Sequence, residues 1–296
     1  MTRHRFGYGT NGFADHRLDD ALAVIADLGY EGVALTLDHH HLDPFLPGLP
    51  GRLARLRHRL NQAGFGLVIE TGGRYLLDPR RKHQPTLLSG EGAQRRIDLL
   101  IQAVRIAAEL GAEAMSFWSG AAPPGITVTQ AWDRLTAGCE QVLKHAESAG
   151  VWLGFEPEPG MFIDTLDRYD ELGDRLGFPD LFGLTLDLGH CQCLEPEPVA
   201  SCVRRAMPRL VNVQIEDMCR GTHAHLEFGQ GEIDFPPVLH ALSEGGYAGL
   251  ISVELPRHSH AAPEVAERSL AFLRRAARQN GAAGRPADDL PTRPAR

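Results

Sequence analysis

The sequence predicts an α/β protein built as a single (β/α)8 barrel, and three observations carry that expectation. Short apolar runs alternate with amphipathic, Ala- and Leu-rich stretches along most of the chain. Eight runs and eight stretches follow one another in strict alternation within about 250 residues, which is the arithmetic of such a barrel. The first run is followed by GYGTNG (7–12) and not by the GxGxxG turn that opens a doubly wound dinucleotide fold.

The strands are expected at RFGYG (5–9), GVALTL (32–37), GLVIE (66–70), AMSFW (114–118), WLGFE (152–156), FGLTLD (182–187), LVNVQIE (210–216) and LISVE (250–254). Between them lie the helical patterns LDDALAVIADLG, PGRLARLRHRLNQAG, GAQRRIDLLIQAVRIAAELG, TQAWDRLTAGCEQVLKHAESAG, TLDRYDELGDRLG, EPVASCVRRAMP and PPVLHALSEGGY, with APEVAERSLAFLRRAARQ after the last strand. Several end in Gly, the residue that a left-handed helix C-terminus favours. The barrel is expected over residues 1–278. Residues 279–296, rich in Pro, Gly, Ala and charge without an apolar period, are expected to form a disordered tail.

Composition narrows the function classes. With 296 residues and 43% hydrophobic content the chain can bury a sizeable core. No stretch approaches the ~20 apolar residues of a membrane span, and MTRHRFGYGTNG lacks the apolar segment of a secretory signal. A soluble, cytoplasmic protein with no membrane partner is expected. The net charge of -8 offers no broad attraction to phosphate backbones, which disfavours a nucleic-acid partner. Five cysteines (Cys139, Cys191, Cys193, Cys202, Cys219) include no CxxC pair and read as free thiols.

Catalytic residues of such barrels emerge at the C-terminal ends of the strands. Here Glu70, Glu156, Asp187, Gln214, Glu216 and Glu254 occupy those ends. A lone carboxylate where the core meets the barrel mouth carries a heavy desolvation cost, and several on one rim repel unless a cation neutralises them. A divalent metal held by Glu156, Asp187 and Glu254, with Gln214 as a neutral fourth ligand, satisfies both constraints. Hard oxygen ligands suit Mn or Mg, with Co and Zn as further candidates. Glu70 and Glu216 lack the same company and are expected to be helix caps or halves of ion pairs. In LTLDLGHCQCLE (184–195), Cys191 and Cys193 are expected to pack behind the site.

Glu156, Asp187 with His190 in DLGH, Gln214 in VNVQIED, GQGEIDF (229–235) and Glu254 in GYAGLISVEL together resemble the xylose-isomerase-like TIM-barrel superfamily of sugar isomerases and epimerases. Within it, hydroxypyruvate isomerases are similar in offering Gln on strand seven. The resemblance implies a small-molecule keto-sugar, keto-cyclitol or polyol substrate, a divalent metal, and Glu156 and Glu254 as both ligands and a catalytic acid/base pair. It further implies substrate contacts from His190 and Arg220, a structural role for GQGEIDF, and a homo-oligomer. A cation held against a carbonyl and its neighbouring hydroxyl acidifies the C–H between them, so a carboxylate can remove that proton to give an enediolate. Its return to the neighbouring carbon isomerises, and its return to the other face epimerises. A dehydratase acting on an inosose or dehydroshikimate-like ring shares the same first step.

The loop RGTHAHLEFGQGEIDF departs from that pattern. His223 and His225, ahead of GQGEI, resemble the zinc-dependent apurinic-site endonucleases of the same superfamily, whose loop helps to hold a zinc cluster. Against that reading, strands three and four end in IETGG and SFWSG without histidine, Gln214 stands where the endonucleases use His, and Thr222 where they use Asp. His223 and His225 are therefore expected to contact substrate or to add a second metal ligand. A non-catalytic binding barrel is the remaining class. Around the mouth, His40 of the His39-His40-His41 triplet, Trp118 with Phe117, and Arg257 with His258 and His260 are further candidate substrate contacts. No phosphate-cradling loop stands out, which favours an unphosphorylated substrate.

Overall fold

The computed structural model describes residues 3–279. Eight parallel strands close into a barrel: β1 (Arg5–Gly9), β2 (Gly32–Thr36), β3 (Gly66–Glu70), β4 (Ala114–Phe117), β5 (Leu153–Phe155), β6 (Phe182–Asp187), β7 (Leu210–Ile215) and, after an inserted hairpin, β10 (Leu250–Val253). Each pairs with its neighbour in sequence, and β10 closes the ring against β1 with Phe6 opposite Ile251. The expected strands are all present, several one residue shorter at an end.

Helices α1 (Leu18–Leu28), α2 (Leu49–Ala63), α3 (Ala93–Leu110), α4 (Val128–Ala149) and α5 (Leu166–Leu176) follow the first five strands. Their apolar stripes bury against the sheet, and all five close on a left-handed glycine, as at Gly29 (φ 87°) and Gly150 (φ 66°). Helix α4 also begins in a capping box, in which Thr127 Oγ1 accepts from Gln130 N–H and Gln130 Oε1 accepts from Thr127 N–H.

Strict alternation breaks twice, both times beside the site. A short helix α6 (Leu188–Leu194) precedes the expected α7 (Val199–Ala206), because Asp187 caps a new turn as soon as the strand ends. After β7, the chain forms an antiparallel hairpin, β8 (Asp217–Cys219) and β9 (Thr222–Leu226), before α8 (Phe235–Glu244). Asp217 organises the return: its Oδ1 accepts from Ile233 N–H and its Oδ2 from Gly229 N–H, which bears out a structural role for GQGEIDF. Helix α9 (Ala262–Gln279) completes the outer ring.

The main core lies between strands and helices, and a small second cluster of Ala34, Val68 and Leu250 fills the barrel interior. That interior is too tight for larger groups, since a Cβ on Gly32 would come within 2.5 Å of the Gly66 carbonyl and 2.7 Å of Leu250. Space therefore opens only at the C-terminal mouth. No described helix is long and apolar enough to cross a membrane. The expected tail falls, apart from Gln279, outside the described residues.

Candidate active site

The strand ends open into a cavity of about 410 Å³. Carboxylates line it from β3 (Glu70), from the residues just beyond β5 (Glu156 and Glu158) and from the residue after β10 (Glu254). Imidazoles line it from α6 (His190) and from β9 (His223 and His225). Gln214 joins them, and the exposed side chains of Arg74, Lys82 and Arg257 stand at its edge.

Asp187 sits one layer behind Glu156 and His190 and is only 2% exposed. Its two oxygens do different work. Oδ1 accepts from His190 N–H at 2.7 Å and so caps α6, while Oδ2 meets no hydrogen-bond donor. A buried carboxylate oxygen left in that state is costly unless a cation takes the place of the donor. Gln214 likewise leaves its Oε1 without a partner.

His190 Nδ1 lies 3.1 Å from the Pro157 carbonyl and 3.4 Å from Glu156 Oε1. A ring N–H there donates to Pro157, which leaves Nε2 as a lone pair 3.1 Å from His223 Nε2. Ligand atoms of Glu156, Asp187 and His190 come within 4.8 Å of one another, as do those of His190, His223 and His225, and of Asp187, Glu216 and His225. Burial pushes His223 down to about 4 and His225 down to about 3. Both rings are then neutral near pH 7, the form in which imidazole binds metals.

Burial first, and neighbouring carboxylates second, raise Glu156, Glu216 and Glu254 well above the usual carboxylate range. Among the described residues, the only ion-pair partners of Glu156, Asp187 and Glu216 are His190 and His225. Glu254 stands outside the 4.8 Å groups and is held by Asn11 Nδ2, which donates to its Oε1 at 2.9 Å. This concentration of unneutralised buried acid fits a divalent cation, and the donor set is oxygen with imidazole.

The structure brings most of the expected residues to the cavity, namely Glu156, Gln214, Glu254, His190, His223, His225, Trp118, His40 and Arg257. Five expectations are corrected. Arg220 turns away, its guanidinium donating to the Glu195 carbonyl and its backbone N–H to Glu232, because the hairpin turn aims it outward. Phe117 faces the core, edge-on to Phe155, as strand alternation with cavity-lining Trp118 requires. His258 and His260 lie off the cavity, with His258 directed at Glu227. Glu70 is neither a cap nor an ion-pair partner: it accepts from Asn212 Nδ2 at 3.1 Å inside the barrel, and burial pushes it up to about 7. Glu216 is fully buried and is neither a cap nor half of an ion pair with Lys or Arg: it faces the Asp187 carboxyl and the neutral His225 ring, whose Nδ1 lies 3.7 Å from its Oε1.

Asn11 and Glu158 went unread in the sequence. Asn11 lies in GYGTNG directly beyond β1, and Glu158 in EPEPG two residues beyond Glu156, so position past a strand end was the available signal for both. Cys191 is buried among the core residues and Cys193 is buried too, away from the cavity lining, as expected.

A barrel with this acidic mouth is shared with known proteins. Residues 22–276 match the xylose isomerase-like TIM barrel family, and the chain belongs to that family. It is 29% identical over 150 residues to the rhizopine catabolism protein MocC of Rhizobium meliloti, covering 44% of this chain and 45% of that one. The match therefore spans less than half of that relative's length. Similarity to an L-ribulose 3-epimerase of Mesorhizobium japonicum runs over 257 residues at 26% identity, 81% of this chain and 76% of the relative. A solved L-ribulose 3-epimerase structure superposes with a TM-score of 0.76 at 21% identity, covering 97% of this chain and 100% of that one, and so shares the fold.

Proposed function

We propose that this protein is a divalent-metal-dependent isomerase or epimerase of a small keto-sugar, keto-cyclitol or related polyol. One observation carries the reading: Glu156, Asp187, Gln214 and Glu254 converge from four neighbouring strand ends, and Asp187 Oδ2 and Gln214 Oε1 are left without donors. These four residues would hold the cation, with Mn or Mg the ions best matched to their oxygens. When bound, it supplies the Lewis acidity that makes a C–H beside a carbonyl removable.

The remaining steps belong to the chain. Glu156 and Glu254 approach the cavity from strands separated by β6 and β7, so one carboxylate takes the proton and the other returns it. Burial and the neighbouring carboxylates raise both groups above the usual carboxylate range, the direction that lets a carboxyl hold a proton before returning it. Asn11 orients Glu254, and the Pro157 carbonyl fixes the tautomer of His190 so that Nε2 faces the substrate oxygens. Trp118, braced by the Arg96 guanidinium 4.9 Å from its ring centroid, offers an apolar face to a sugar ring. The similarity to an L-ribulose 3-epimerase along most of both chains supports an epimerase.

The test is metal analysis of the purified protein, then a keto-sugar and polyol panel in deuterated buffer with Mn added. Deuterium entering an unchanged or epimerised substrate supports the proposal. A protein that binds no divalent metal and exchanges no carbon-bound hydrogen refutes it, and a new enone absorbance assigns the chemistry to a dehydratase instead.

A further inference from the structure

We infer that the substrate of the proposed reaction is a sugar acid, a keto-polyol whose far end carries a carboxylate held at the cavity edge by Arg74, Lys82 and Arg257. The inference rests on the proposed function and adds the charge of the substrate to it.

The cavity is polarised from floor to edge. Its floor is acidic, with Glu70, Glu156 and Glu254 at the strand ends, whereas three cations stand exposed around its opening. Arg74 and Lys82 come from the loop 71–92 between β3 and α3, and Arg257 from the segment after β10. The two sources meet, because Arg74 Nη2 donates to the Pro256 carbonyl at 3.3 Å, next to Arg257. Lys82 and Arg257 both act on the His223 ring, so the positive charge runs as an arc around one opening.

None of the three closes an ion pair with a carboxylate among the described residues. The nearby acids are otherwise engaged: Asp78, in the same loop, takes Arg81 at 2.8 Å, and the cavity-lining Asp38 takes His39. Lys82 feels the Glu158 charge without pairing with it. Like charges gathered at one opening repel, although a chain of net charge -8 has acids to spare for them. An anion that arrives with the substrate satisfies that arrangement.

The loop that carries two of the cations is firmly built. Arg96, buried beneath it, donates from Nε to the Pro85 carbonyl and from Nη2 to the His83 carbonyl, each at 2.9 Å. His83 N–H in turn donates to the Arg74 carbonyl at 2.6 Å. Both cation-bearing stretches are thus tied to one buried guanidinium, and little ordering is left for the ligand to impose.

Chemistry selects the anion. Guanidinium forks match either carboxylate or phosphate. Phosphate sites in barrels add backbone N–H groups from a glycine-rich turn or a helix N-terminus, and Gly72 is the only glycine among the residues lining this cavity. A carboxylate needs no such cradle. At about 410 Å³ the cavity lies within the roughly 300–1,000 Å³ of small-molecule sites, with room for a sugar whose carbonyl sits at the floor and whose carboxylate reaches the edge.

The experiment is calorimetric titration of the full chain, supplied with Mn, with three matched probes: D-fructose, D-fructuronate with its carboxylate at the far carbon, and D-fructose 6-phosphate. Fructuronate is expected to bind about tenfold more tightly than fructose, and that ratio to shrink in about 0.5 M salt. Lys82→Met and Arg257→Met should each narrow the ratio, and Arg257→Glu should bring it below one. Both side chains are exposed, so melting curves are expected to stay in place. Equal affinities, a preference that survives these substitutions, or binding of none of the probes overturns the inference. Tightest binding of the phosphate overturns it too, and assigns the edge to phosphorylated sugars. Each of these outcomes leaves the proposed function standing, because that reading is judged by metal uptake and deuterium exchange. A chain that takes up no metal and exchanges no hydrogen overturns both.

Discussion

Replacing Asn11 with Ala removes one hydrogen bond, and the structure allows the consequence to be sized. Asn11 Nδ2 donates to Glu254 Oε1 at 2.9 Å, across 243 residues of sequence. A hydrogen bond to a charged acceptor contributes about 1.5–3 kcal/mol. Asn11 is partly exposed, which places its share at the lower end, so kcat/KM is expected to fall about tenfold. The pH profile gives a second reading. This bond favours the ionised form of Glu254, working against burial and the neighbouring Asp187 charge that raise its pKa. Loss of the bond raises that pKa further. A base that must be ionised then becomes active at higher pH, and the acid limb of kcat/KM moves to alkaline pH. The assay is a kcat/KM profile between about pH 5 and 9 on the substrate found by the panel, beside a melting curve. An unmoved acid limb with kcat/KM within about twofold of wild type would refute the role given to Asn11.

Three further outcomes are expected. Burial raises Glu70 from 4.5 to about 7, so its neutral form is favoured by folding, and the stability this brings is present below about pH 4.5 and lost as pH rises through 7. Denaturant titrations at pH 4.5 and 8 should show Glu70→Gln sparing the protein about 3 kcal/mol of that loss, and equal pH dependence in both proteins would count against it. Gly189→Ala drives a methyl into Glu216 and Met218 and should cost about 1–3 kcal/mol, read as a lowered melting temperature. Arg220→Ala, which touches the Glu195 carbonyl and not the cavity, should leave KM unchanged on the identified substrate, and a raised KM would reinstate it as a substrate contact.

The barrel was legible because its code is local. Eight apolar runs and their Gly-terminated helices can be read one at a time, and closure follows from their number. The carboxylates at the ends of β5, β6 and β10 were legible for the same reason, since a charge directly after LGF or LISV has few structural excuses. The direction of Arg220 was not, because an exposed side chain in a turn is aimed by the turn's geometry and not by its neighbours in sequence.

Period two carried more than was drawn from it. In THAHL the histidines alternate with Thr, Ala and Leu, so a strand there must place His223 and His225 on one face, which is where β9 puts them. Gln214 and Glu216 stand in the same relation at the end of β7. The expected strand seven already runs to Glu216, so period two puts its side chain on the inward face with Gln214, where a surface ion pair does not suit it. What no local pattern supplies is the set of neighbours that Glu216 meets. That Glu216 finds neither Lys nor Arg depends on α6 passing over it at Gly189 and on the hairpin returning only a neutral imidazole. An acid enclosed in that way is stable in its charged form only with a cation beside it, and otherwise keeps its proton against the Asp187 carboxyl, the form that its raised pKa favours.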